Sequence, residues 1–543
     1  MRLLSGLLIC ALTASAQAVR YDVVISNGRI FDGTGNPWFY GDIAIVGDTI
    51  AAMGRLPAHT ATVTLDAKGL AISPGFIDTH SHSRRGIFGV PTAENAIRQG
   101  VTTLIEGPDG GSPVPLKPFL DRLRATPISV NMGTMVGHGS VRSAVMGSQN
   151  RKATDAELQK MRDIVRQAML DGAFGMSTGL FYVPGNYAPT EEVIELEKVV
   201  ASFGGRHTSH VRNEAEGVLD SARETIRIGE EGGVPTQMTH VKVVGKKQWG
   251  WSEQVLKLFD EARARGVDAT MDQYPYTASS TGSAAMFPQW SLAGGNKAFR
   301  ERLAAPGSRA KIKAEVVLVL REGRGAGDPK NVVMAACAHD PKKAGKSLAD
   351  LTRAAGREVT LENAAETAIE LELLGGCSAI YHAMDEADLE RFMRSPYTMI
   401  ASDGEILSPN ANMPHPRSYG AFSRVIGRYV RERGTLTLED AVRKMSSFPA
   451  ARFGIEDRGL LRPGMKADVA VFDPAVAGDK ATFAAPHQYA VGFKHVFVNG
   501  KAVILDGKVT AARPGAILMG PGARAAVAGA PKGTTASQGA AGR

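Results

Sequence analysis

The stretch Ile72-Ser73-Pro74-Gly75-Phe76-Ile77-Asp78-Thr79-His80-Ser81-His82 decides how the rest of the chain reads. It is an apolar run that ends in two histidines one residue apart. On a β-strand, side chains at i and i+2 share a face, so the two imidazoles converge on one point where the strand ends. Neutral imidazole is a favoured zinc ligand. His80 and His82 thus form half of a metal site, and other segments must supply the remainder.

Working outward from this strand, residues 73–456 alternate short apolar runs with helical patterns. Gly100-Val101-Thr102-Thr103-Leu104-Ile105, Val267-Asp268-Ala269-Thr270-Met271-Asp272 and Tyr397-Thr398-Met399-Ile400-Ala401 are examples of the runs. Repeated β-then-α units over this length predict an α/β fold with a parallel barrel rather than an open sheet, and polar residues that end such strands face the active site. Residues 283–370 break the rhythm, are rich in Gly, Lys and Arg, and read as an insertion: a candidate lid or a plain surface excursion. Residues 19–72 and 457–519 carry short β-like runs instead. Val23-Val24-Ile25-Ser26-Asn27-Gly28-Arg29 has an echo in Val496-Phe497-Val498-Asn499-Gly500-Lys501. Asn-Gly after an apolar run is a turn signal. Either the two chain ends pair into one small β domain around the inserted middle, or they form two unrelated β units. The first is the expectation.

The chain has 543 residues, with 43% hydrophobic and 22% charged, as for an ordinary globular protein, and a formal net charge of +8. No Lys/Arg block has interleaved aromatics, so a nucleic-acid partner is not expected. Residues 1–18 read as a signal peptide: Arg2, an apolar run from Leu3 to Ala14, and a small-residue cleavage site at Ala16-Gln17-Ala18. The apolar run is too short to cross a bilayer, so the expectation is export, to the periplasm, without a membrane span. Cys337 and Cys377 then remain, in a compartment that permits a disulfide; they read as two buried thiols. From Gly520 to the end the chain is Ala/Gly/Pro-rich and reads as a disordered tail.

Of the twelve histidines, His59, His339, His487 and His495 sit in no converging pattern. His210 and His240 lie at or just beyond the ends of strand-like runs, as His80 and His82 do. One such histidine is usually structural, but four spread over three strands of one barrel predict a metal site. Asp403, in Ser402-Asp403-Gly404, also follows an apolar run. Beside a metal-bound water its carboxylate can take a proton and then give it to a leaving amine; alone, it would read as a helix cap or turn residue.

Gly75-Phe76-Ile77-Asp78-Thr79-His80-Ser81-His82 resembles the opening strand of the amidohydrolase superfamily. The match continues through Val136-Gly137-His138-Gly139, Ser177-Thr178-Gly179-Leu180-Phe181-Tyr182, Thr208-Ser209-His210 and Thr239-His240-Val241-Lys242. It extends through Asp272-Gln273-Tyr274-Pro275-Tyr276, Ser402-Asp403-Gly404 and His415-Pro416-Arg417. In that order the motifs resemble the N-acyl-D-amino-acid deacylases, or D-aminoacylases. The resemblance implies a (β/α)8 barrel with a small β-sandwich, one or two zinc ions, and His80, His82, His210 and His240 as metal ligands. It makes Asp403 the catalytic aspartate and places Tyr182, Lys242, Tyr274 and Arg417 against substrate. An Arg can grip a carboxylate bidentately, whereas Lys242 adds a point charge. The chain departs from the family where a metal-binding cysteine is usual: the corresponding stretch is Gly107-Pro108-Asp109-Gly110. Asp109 falls in the cysteine's position and could ligate zinc through oxygen; Glu106 is the rival.

The expectation is a zinc-dependent hydrolase that cleaves the amide of a small N-acyl-D-amino acid to a carboxylate and a free amino acid. Fold does not fix substrate, so a dipeptidase or a cyclic-amide hydrolase on the same scaffold is the alternative. A metal-free binding protein is the non-enzyme alternative, against which the four histidines and Asp403 count.

Overall fold

The protein is described here by a computed structural model, over residues 19–524. The signal-peptide reading of residues 1–18 lies outside the described residues. No helix among the described residues is long and apolar enough to cross a membrane.

The chain starts in a sheet. Strand β1 (Val19–Ile30) pairs antiparallel with β2 (Phe39–Val46), which pairs with β3 (Thr49–Gly54); β4 (His59–Asp66) and β5 (Ala71–Pro74) run parallel to β1. Asn27-Gly28, which reads as a turn, is a bulge within β1. Asn27 takes a left-handed φ of 63°, the register shifts between Ile25 and Gly28, and the strand continues. Asn499-Gly500 at the other end does turn the chain, with φ of 46° and 74°.

Gly75 interrupts the chain between β5 and β6 (Phe76–Asp78), which pairs parallel with β7 (Val101–Glu106) and, through it, with β8 (Asn131–Thr134). A Cβ at Gly75 would meet the Thr102 side chain at 2.3 Å, so only glycine fits there. After Met135 the chain resumes as β9 (Val136–Gly137), followed by β10 (Gly175–Gly179), β11 (Arg206–His210), β12 (Thr236–Met238) and β13 (Ala269–Gln273), each parallel to the one before. Helices such as Asp155–Asp171, Thr190–Ala201, Val218–Gly232 and Ser252–Ala264 connect these strands and turn one apolar face inward.

Between β13 and the last parallel strand lies a three-stranded antiparallel sheet. It consists of β14 (Ser279–Gly282), β15 (Val332–Ala336) and β16 (Ser378–Tyr381), in the order β14-β16-β15. It extends beyond 283–370, from Ser279 on one side to Tyr381 on the other. It has its own apolar cluster, with Phe287, Phe299, Ile312, Val316, Leu320 and Tyr381. Cys337 and Cys377, expected as thiols, are a disulfide. The end of β15 and the approach to β16 bring them within 4.4 Å at Cα across a sequence separation of 40, a pairing that two cysteines in a sequence do not announce.

Strand β17 (Thr398–Ile400) then pairs parallel with β13. Just beyond it, Ser81 and Gly404 form a parallel bridge; Asp403 N donates to His80 O at 2.9 Å and His82 N to Gly404 O at 2.8 Å. The segments just beyond the first and the last of the parallel strands thus lie side by side.

The chain finishes where it began. Strand β18 (Val469–Phe472) pairs antiparallel with β5, and β19 (Phe493–Val498), β20 (Lys501–Leu505) and β21 (Lys508–Val509) extend the same sheet. Phe76 lies against Phe422, Phe472 and Phe493, at ring-centroid distances of 5.9, 6.4 and 6.2 Å. Such aromatic pairs add about 0.5–1.5 kcal/mol each beyond their burial. Buried Asp468 accepts from Arg458 Nη1 (2.6 Å), Asn131 Nδ2 (2.9 Å) and Asn499 N (2.7 Å), tying this sheet to β8. The start of the tail read as disordered from Gly520 is packed. Residues 521–524 are helical, Gly520 N donates to Gly172 O, and Ala523 is buried. Small residues permit that close approach. The remainder of that tail lies outside the described residues.

Candidate metal centre

His80, His82, His210, His240, Asp109 and Asp403 all emerge where parallel strands end, and they meet. Asp109 Oδ1 lies 3.3 Å from His80 Nε2, 3.5 Å from His210 Nδ1 and 3.3 Å from His240 Nε2; Oδ2 lies 3.4 Å from His82 Nε2. Asp403 Oδ1 is 3.1 Å from His82 Nε2 and 3.5 Å from His80 Nε2. The donors fall into two sets, each within 4.8 Å internally: His80, His82, Asp109 and Asp403, then Asp109, His210 and His240. Asp109 belongs to both.

The backbone is bent to achieve this. Asp109, His240 and Asp403 have φ of 56°, 35° and 50°. Left-handed backbone is costly for residues with a Cβ and clusters at functional sites. The Asp109 loop is fixed by Ser177, whose hydroxyl donates to Gly107 O at 2.6 Å and accepts from Gly110 N at 3.1 Å. A Cβ at Gly110 would come within 2.7 Å of Gly179 N, so glycine is required beside Asp109. Glu106, the rival ligand, turns away to accept from Arg84 N at 2.9 Å and Ser83 Oγ at 3.3 Å.

The donor set fits a divalent cation. Both ring nitrogens of His80 and of His210, and Asp109 Oδ1, are buried without a hydrogen-bond partner. Buried polar atoms are otherwise almost always satisfied, and imidazole with carboxylate is a zinc donor set. Burial lowers the His82 pKa, but the Asp109 and Asp403 carboxylates outweigh it and push the ring up to about 10. Burial likewise raises Asp403, yet Arg417 and the imidazoles hold it well below the usual carboxylate range.

Two further carboxylates brace the cluster from beneath. Asp78 accepts from Ser402 N (3.0 Å), Ser402 Oγ and His80 N (3.2 Å), clamping the end of β17 to β6; burial raises its pKa to about 6. Asp272 accepts from His240 N at 2.6 Å and from Gln237. Both sit at strand ends, a signal that reading only the histidines passes over. Glu214, four residues after His210, is the third missed carboxylate: it accepts from Lys242 Nζ at 2.5 Å and Arg324 Nη2 at 3.1 Å.

A cavity of about 530 Å³ opens above the cluster. Tyr182, Lys242, Tyr274 and Arg417 all line it. Tyr182 OH lies 3.1 Å from Thr281 Oγ1, and its ring packs on His210 at 4.6 Å. Arg417 Nη1 is 2.7 Å from Asp403 Oδ2, and its guanidinium stacks 4.8 Å over Tyr274. Lys242 is engaged by Glu214 and lies 2.6 Å from His240 Nδ1. Arg84, Arg85 and Arg324 add positive charge to the wall. His339, which showed no converging pattern in the sequence, lies beside the Cys337–Cys377 disulfide with both ring nitrogens unpartnered.

Residues 63–504 match the model of an amidohydrolase family, and the chain belongs to it. D-aminoacylase of Alcaligenes xylosoxydans xylosoxydans is 36% identical over 521 residues, covering 92% of this chain and 97% of that protein. N-acyl-D-glutamate deacylase of the same organism is 35% identical over 535 residues, covering 94% and 99%. N-acyl-D-glutamate deacylase from Bordetella bronchiseptica, solved with zinc and a phosphonate mimic of the tetrahedral intermediate, superimposes with a TM-score of 0.78 at 34% identity. The match covers 92% of this chain and all of that one. Within the amidohydrolases, the chain therefore belongs to the N-acyl-D-amino-acid deacylase family.

Proposed function

We propose that this protein is a zinc-dependent hydrolase of N-acyl-D-amino acids, and that residues 73–456 form a (β/α)8 barrel around its site. The bridge between Ser81 and Gly404 supports a closed barrel. The shared sheet of β1–β5 and β18–β21 supports a β-sandwich domain made from residues 19–72 and 457–519. The Cys337–Cys377 disulfide supports an exported, oxidising setting such as the periplasm.

One observation carries the assignment. A single carboxylate, Asp109, faces four imidazoles at the floor of a cavity, and a guanidinium stands beside a second carboxylate, Asp403, at its edge. His80, His82, His210, His240 and Asp109 would hold one or two zinc ions, as the zinc in the Bordetella relative supports. Zinc held there would supply a Lewis acid for the acyl carbonyl and a water whose pKa is lowered to about 7. Asp403 moves the proton. Its Oδ2 is held by Arg417, which leaves Oδ1, on the histidine side, to accept a proton from the attacking water and return it to the amine nitrogen as the C–N bond breaks. Arg417 and Lys242, with Tyr274 between them, present positive charge to the amino-acid carboxylate. Tyr182 covers His210 and closes one wall.

The test is a hydrolysis panel on the zinc-loaded protein with N-acetyl-D- and N-acetyl-L-amino acids, dipeptides ending in a D-residue, and hydantoins. Turnover of the N-acetyl-D series above the L series and the rings supports the reading. Turnover of rings alone would overturn it.

A further inference from the structure

Glu214 is buried in the wall of the cavity and belongs to none of the strands. Its Oε1 lies 3.8 Å from His210 Nε2 and 3.5 Å from His240 Nδ1. These are the ring nitrogens opposite the ones that face Asp109, namely His210 Nδ1 and His240 Nε2. One carboxylate oxygen thus stands behind two imidazoles whose other nitrogens converge on the metal position. A histidine that ligates through one nitrogen carries its proton on the other, and a carboxylate there fixes the ring and raises its basicity.

Glu214 is itself held. Arg324, buried and supplied by the segment between β14 and β15, meets Glu214 Oε2 at 3.1 Å, and its guanidinium lies 4.7 Å over Phe181 and 5.4 Å over Tyr381. Lys242 meets Oε1 at 2.5 Å. An ammonium at 2.6 Å from His240 Nδ1 cannot serve a ring that needs that nitrogen protonated. Between the two groups that face His240 Nδ1, only the carboxylate can accept its proton.

We propose that Glu214 is the positioning residue for both His210 and His240 in the zinc-loaded protein, and that Arg324 anchors Glu214. The inserted segment is thereby built into the metal site: the metal-facing histidines are aligned by a carboxylate whose second oxygen is fixed from outside the parallel strands. The proposal rests on the zinc reading above.

Chelator competition on the full chain tests it. Glu214→Gln keeps the size of the side chain and weakens zinc affinity about 10–100-fold, Glu214→Asp recovers part of the loss, and Arg324→Met gives a smaller loss of the same sign. The visible absorption band of the cobalt-loaded protein shifts in Glu214→Gln as the two rings lose their common acceptor. Lys242→Met raises KM. If Glu214 served only to hold Lys242, Glu214→Gln would copy that KM effect with full zinc affinity and an unmoved cobalt band, and the proposal would be wrong. Should Glu214→Gln fail to fold, Arg324→Met decides, because its side chain does not face the imidazoles; unchanged zinc affinity there overturns the anchoring. A wild-type chain that retains no zinc defeats the zinc reading itself, a result distinct from wild-type zinc binding that the variants leave intact.

Discussion

Strand β11 carries an imidazole at each of two positions three residues apart, and the two belong to different worlds. An odd separation puts them on opposite faces of the strand. His207 is clasped by Thr178 Oγ1 at 3.0 Å and Thr236 Oγ1 at 2.8 Å, and burial pushes its pKa down to about 3. The acid nearest to it, Glu197, is 4.0 Å away with no hydrogen-bond partner, and burial alone drives its pKa well above the usual range. His210, at the strand end, faces Asp109 on one side and Glu214 on the other. Burial raises Glu214 too, but Lys242, His210 and Arg324 outweigh it and hold it well below the usual range. Burial without counter-charge neutralises a carboxylate; burial with counter-charge keeps it ionised. The first arrangement is packing, and the second can hold a metal and move a proton.

The contrast can be broken at several strengths. Asp403→Asn removes the group proposed to carry the proton and is expected to lower kcat about 10²–10⁴-fold, measured on the best N-acetyl-D-amino acid of the panel; a smaller effect would move that role elsewhere. Asp109→Ala is expected to strip zinc, by elemental analysis, whereas Glu106→Gln retains it, because Glu106 faces Arg84 and Ser83 instead. Removing the disulfide with Cys337→Ala and Cys377→Ala releases a loop of about 40 residues, an expected loss of about 4 kcal/mol in a chain-entropy treatment; denaturant unfolding reads it. His207→Ala removes a buried ring and its hydrogen bonds to two threonine hydroxyls and is expected to cost about 1–3 kcal/mol while zinc content and kcat stay as in the wild type. Loss of zinc in that variant would erase the distinction between the two faces.

Glu197→Gln is the gentlest probe. The folded-state pKa of Glu197 is raised above its ordinary value of 4.5. The stability it contributes is therefore full below that value and is lost as pH rises through the folded pKa. Gln does not titrate, so the gap between variant and wild type is constant below pH 4.5, and the variant gains on the wild type as the solution is made alkaline. Thermal unfolding at the two ends of that range reads the difference, and a constant gap across pH would show Glu197 to be ionised.

Much of the site was legible because strand geometry is local. The His80–His82 spacing, the apolar run before Asp403 and the histidines that close β11 and follow β12 each needed only the alternation of side chains along a strand. The Asn27-Gly28 bulge reads as a turn in the sequence for the same reason: the dipeptide signals left-handed backbone, which a bulge and a hairpin both use. The choice of Asp109 over Glu106 depended on Ser177 pinning a loop from another strand. Glu214 follows His210 by four residues, but the cations that hold it, Lys242 and Arg324, lie 28 and 110 residues away in the chain.

By itself, the sequence determined the α/β alternation, the histidines and aspartate that end its strands, and the family to which their order belongs, because each is written in neighbouring residues. Only the tertiary structure decided which carboxylate faces four imidazoles, which stands behind two of them, and that Cys337 and Cys377 are joined. Those are matters of distance between segments that the chain keeps far apart, and a buried charge takes its protonation from the partners that folding brings to it.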